Sequence, residues 1–101
     1  MRHSGWMAVM ASVMSVMTVL GVDKTWQGVS GANWTTDGNW VGGAAPVNNT
    51  TTDRAVFDGT SSGSVNVDAY RSVGGLVIQR DIAFAGQRLD YGSAGLVVNA
   101  G

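Results

Sequence analysis

The sequence has no cysteine and no glutamate, and only one histidine and one proline. Without cysteine there is neither a disulfide framework nor a thiolate metal site. All seven acidic residues are Asp, which favours turns and caps over helix interiors, so a helical domain is disfavoured. A net charge of -1 leaves no electrostatic footprint for nucleic acid or an anionic membrane surface. The histidine, His3, lies in the first 21 residues, and everything after them lacks His, Cys and Glu. Acid–base chemistry would therefore fall to Asp, Lys24, Arg, Tyr70 and Tyr91.

What is abundant points to strands and tight turns. The chain of 101 residues carries fifteen glycines and is rich in Val, Thr, Ser and Asn. Its length suits one small domain. Residues 1–21, "MRHSGWMAVMASVMSVMTVLG", hold all five methionines and no charge after Arg2. A basic start before an apolar run reads as a helical secretory signal segment, with Val19 and Gly21 as the small residues before a cut at Val22. Met7, Met10, Met14 and Met17 also suit an amphipathic helix, and the run is just long enough to consider an uncleaved anchor.

Residues 22–60 form a Trp-rich region in which "TWQGVSGANWTTDGNW" places Trp26, Trp34 and Trp40 among turn formers. "KTWQG", "ANW" and "RAVFDG" each supply a short strand, with "DGN" as a turn and "VGGAAPVNNTTTD" as a loop. In residues 61–101, Val65 and Val67 alternate with polar neighbours, and Val73, Leu76, Ile78, Ile82, Phe84, Leu96 and Val98 follow. The glycines read as punctuation between strands of four to six residues. "GGLVIQ" and "AGLVVN" repeat across 20 residues, a plausible coil length for a solenoid. A small antiparallel sandwich uses the same composition, and spacing alone leaves both open.

The order of these elements resembles the N-terminal region of exported bacterial proteins of the autotransporter-associated β-strand-repeat type. The matching residues are Trp26 with Gly28, Asn33 with Trp34, Asn39 with Trp40, Gly43 with Pro46, "DRAVFDG" from Asp53, "VNVD" from Val65 and "GGLVI" from Gly74. The resemblance implies an all-β fold, the start of a right-handed parallel β-helix behind a Trp-rich N-terminal cap. It implies a non-enzymatic, adhesin-like module, secreted or at the bacterial cell surface, touching a membrane only through its N-terminal segment during export. Its expected partners are a surface polysaccharide or a host or environmental surface. Such regions open much longer chains, so a sequence stopping at Gly101, just after a strand, is expected to be a fragment.

Two other functions use the same residues. Exposed Trp26, Trp34 and Trp40 would form a carbohydrate-binding face. A polysaccharide-active enzyme would need paired carboxylates, for which Asp53 with Asp58 or Asp81 with Asp90 are candidates. Against that, Asp37, Asp53, Asp58, Asp68 and Asp90 lie where Asp commonly serves a turn. Neither an EF-hand loop nor a Gly-Gly-x-Gly-x-Asp repeat appears, so no metal or cofactor is expected. Strand edges left open after Val98 would favour end-to-end self-association.

Overall fold

The computed structural model describes residues 21–99, so the expected helical signal segment lies outside them but for Gly21. The described chain is all-β, with seven strands in two parallel sheets. These are β1 (Asp23–Thr25), β2 (Ala32–Asn33), β3 (Arg54–Phe57), β4 (Ser64–Val67), β5 (Arg71–Ile78), β6 (Ala83–Gly86) and β7 (Leu89–Val98). Successive strands alternate between the sheets, giving the orders β1-β3-β5-β7 and β2-β4-β6. Every ladder between these strands is parallel, so the antiparallel sandwich is not the arrangement adopted.

Register explains how the core is filled. Lys24, Ala55, Leu76 and Leu96 are successive partners across the first sheet, as are Phe57, Ile78 and Val98 two positions along. Ala32, Val65 and Phe84 align across the second. Period-2 alternation places one set of side chains between the sheets, where Ala55, Phe57, Val65, Val67, Val73 and Leu76 are buried. The 20-residue repeat is a ladder in space, since Gly75-Leu76-Val77-Ile78 pairs in register with Gly95-Leu96-Val97-Val98.

Strand length departs from expectation. β5 has eight residues and β7 has ten, with a register irregularity between Val73 and Gly75. Gly74 and Gly92, read as punctuation, lie inside these strands. A Cβ on Gly74 would stand 2.6 Å from the Asp53 carbonyl oxygen, and one on Gly92 only 2.0 Å from that of Thr50. Both strands need glycine where the 48–53 loop crosses them closely. That loop is tied down by Ser72 N–H donating to Asn48 Oδ1 at 2.8 Å and Ser93 N–H donating to the Thr50 carbonyl at 3.1 Å.

Candidate functional site

The three tryptophans singled out in residues 22–60 gather at the β1 end of the sheet stack. Trp26 follows β1, Trp34 follows β2, and Trp40 follows a single 3-10 turn at Asp37–Asn39. That turn reverses the chain so that Trp40 forms an antiparallel bridge with Trp26. Gln27 N–H donates to the Asn39 carbonyl at 2.7 Å, and Val41 N–H to the Thr25 carbonyl at 2.8 Å. The Asn39 side chain closes the loop by donating from Nδ2 to the Asn33 carbonyl at 2.9 Å.

All three indoles are 0% exposed. Trp40 meets Trp26 at 5.1 Å and Trp34 at 4.8 Å between ring centroids, both edge to face. Phe57 lies 5.9 Å from Trp40 and contacts Phe84 at 5.2 Å, passing the aromatic column into the next layer. Trp40 Nε1 donates to the Trp34 carbonyl at 2.8 Å, and Trp26 Nε1 to Ser62 Oγ at 2.9 Å. Trp34 Nε1 is buried without an acceptor among the described residues. Each indole withdraws on the order of 200 Å² from water, about 5 kcal/mol by area and an upper bound. Edge-to-face pairing adds roughly 0.5–1.5 kcal/mol per pair.

The carboxylates are occupied with backbone and neighbouring side chains. Asp53 is buried and accepts from Val47 N–H at 2.9 Å and Val22 N–H at 3.4 Å, holding the loop before β3. Asp58 accepts from the Thr60 hydroxyl at 2.6 Å and its N–H at 2.9 Å, an Asx turn that holds the carboxyl below its usual range. Asp68 is held low in the same way, chiefly by the Thr35 hydroxyl. Asp37 accepts from Ala45 N–H at 2.9 Å. Asp90 takes Arg88 Nε at 2.9 Å and the Tyr70 hydroxyl at 2.8 Å, and these donors lower its pKa. The Asp81 carboxylate has no partner among the described residues, whereas its carbonyl accepts from Arg80 Nε at 3.0 Å.

A groove of about 350 Å³ is lined by Asp23, Arg54, Thr51, Thr52 and Ser93. Its two charges are spent on one another, with Arg54 Nε and Nη2 reaching the Asp23 carboxylate at 2.7 and 2.8 Å. Among the described residues no group of three or more acidic or metal-ligating side chains gathers. No described helix is long and apolar enough to cross a membrane.

Among the described residues the β7 side of the stack has no comparable aromatic filling. Leu96 and Val98 occupy the inward register of the core column, yet among the described residues they are left 46% and 59% exposed. Val97 between them is exposed as well, as is Tyr91 nearer the start of β7. Two features carried no sequence signal. Buried Ser61 donates to the Trp26 carbonyl at 2.9 Å, and Asn66 Nδ2 donates to Asn33 Oδ1 at 2.9 Å between register partners.

No protein-family model matches the chain, and comparison with curated proteins and with solved structures gave no match either.

Proposed function

We propose that the chain is an exported, non-enzymatic structural module, the N-terminal start of a right-handed parallel β-helix in an adhesin-like bacterial surface or secreted protein. Trp26, Trp34 and Trp40 are its cap. Parallel strands that alternate between sheets, with Arg54, Gly75 and Gly95 as successive register partners after a longer first coil from Asp23 to Arg54, support the β-helix reading, and parallel crossovers are overwhelmingly right-handed. A β-helix must have its first layer closed against water, and three indoles do this with few residues. Complete burial of those indoles is the observation that carries the proposal.

The same burial favours the cap over a carbohydrate-binding face, because stacking on a sugar requires an exposed ring. Asp53 and Asp58, committed to backbone and Thr60 donors, favour a structural role over polysaccharide cleavage. Export rests on the composition of residues 1–21. Fusing those residues to a reporter active only outside the cytoplasm tests it. Activity is expected, and a silent fusion that is stably made would refute export.

A further inference from the structure

We propose that removal of residues 1–21 leaves Val22 as an N-terminus whose α-ammonium pairs with the buried carboxylate of Asp53, so that processing itself strengthens the fold. The inference rests on the export reading and adds what the cut does to the structure.

The acceptor is already in place. Asp53 stands one residue before β3 and is 3% exposed. Its Oδ2 accepts from Val47 N–H at 2.9 Å and its Oδ1 from Val22 N–H at 3.4 Å, a long contact for a neutral amide. The ion pairs among the described residues are Arg54 with Asp23 and Arg88 with Asp90, so no described cation answers this carboxylate. A carboxylate taken out of water is costly unless a counter-charge and hydrogen bonds compensate it.

The donor is held beside it by its own carbonyl. Val22 C=O accepts from Arg54 N–H at 3.0 Å, which carries the β1–β3 ladder one step ahead of the Asp23–Arg54 pair. Hydrolysis of the Gly21–Val22 bond takes up one water. Gly21 leaves with the new carboxylate, and the Val22 nitrogen gains two protons to become an ammonium. One neutral N–H aimed at Asp53 is thereby replaced by a charged group with three, at the same atom. Charge-assisted hydrogen bonds are shorter and roughly twice as strong as neutral ones. The Asp53 carbonyl also accepts from Gly75 N–H at 3.2 Å, so the new pair ties the N-terminus to the second coil as well as to the loop at Val47.

Gly21 suits the chain before the cut. A small residue is wanted at the cleavage point, and a Cβ on Gly21 would stand 1.2 Å from the Thr52 carbonyl oxygen.

Export of the full chain from a bacterial host supplies the product for the test. Its N-terminal residue is expected to be Val22. Acetylating the α-amine in urea near neutral pH, where Lys24 stays protonated, and refolding restores an uncharged amide N–H at the same nitrogen. The folding equilibrium, read by urea titration, should fall roughly tenfold to a hundredfold on acetylation. In the product carrying Asp53→Asn, acetylation should change it by less than about twofold. Should that variant fail to fold, the unmodified product decides alone, since its α-amine should be acetylated far more slowly when folded than in urea. A product that is uncut or begins at another residue overturns the proposal. So does an acetylated product as stable as the free one, an equal loss in Asp53→Asn, or an α-amine that reacts as fast folded as unfolded. A silent reporter fusion to residues 1–21 would remove the export reading and the pairing together. An active fusion with no loss on acetylation would remove the pairing alone.

Discussion

Trp40 Nε1 donates to the Trp34 carbonyl at 2.8 Å while the two indoles pack edge to face, 4.8 Å apart. One side chain thus fills the first layer and satisfies a buried carbonyl that would otherwise have no donor. Removing it should separate those two effects. Trp40→Ala is expected to lose about 3–5 kcal/mol through the cavity, much of the roughly 5–15 kcal/mol of an ordinary domain. Trp40→Phe keeps most of the volume and should lose about 1–3 kcal/mol for the stranded carbonyl. Urea unfolding followed by circular dichroism measures both. Equal stability of Trp40→Ala and the unmodified chain would remove the cap from the explanation.

Close approach of the 48–53 loop predicts opposite results for two glycines. Gly74→Ala forces a methyl to within 2.6 Å of a backbone oxygen and should destabilise by about 1–3 kcal/mol. Gly38→Ala meets nothing within 4 Å and should stay within about 0.5 kcal/mol of the parent. Thermal melts of the two variants side by side check the contrast.

Asp53 is expected to act as a loop anchor. Asp53→Ala strips the acceptor from Val47 N–H, so amide exchange at Val47 should quicken while β4 and β5 remain protected. Unchanged exchange at Val47 would show that the bond does not hold the loop.

Acid should weaken the fold through Asp58, Asp68 and Asp90, whose carboxyls the fold holds below their usual range. For a carboxyl lowered on folding, stability is complete above the unfolded pKa, about 3.9 for Asp, and is lost as pH falls through the folded value. Melting temperature should therefore be flat above about pH 5 and fall below about pH 4. Asp68→Asn should flatten part of that fall. Because these groups are exposed or only half-buried, the effect should shrink in high salt wherever it comes from charge, as at Arg88 and Asp90.

Much of the fold was legible because local patterns and distant pairings agree. Alternation placed Val65 and Val67 in a strand with both side chains buried, and the 20-residue repeat became the Gly75–Gly95 ladder. The ordered tryptophans anticipated a single aromatic cluster. Glycine misled the reading of strand length, because Gly74 and Gly92 answer to backbone of the 48–53 loop, which no local pattern reveals. Asp53 reads locally as a turn residue, and nothing near it in sequence signals its burial. Its partners, Val22 and Val47, are set by tertiary packing. That Leu96 and Val98 continue the inward columns of Ala55 and Leu76 and of Phe57 and Ile78 required the register.

Collisional quenching of tryptophan fluorescence tests the cap most directly. Trp6 lies outside the described residues, so a Trp6→Phe background leaves only Trp26, Trp34 and Trp40 to emit. In the folded chain iodide should quench them weakly, polysaccharides should leave the emission unchanged, and urea should expose all three. Strong quenching in the folded chain, relieved by a polysaccharide, would contradict the cap and make the indoles a sugar-binding face.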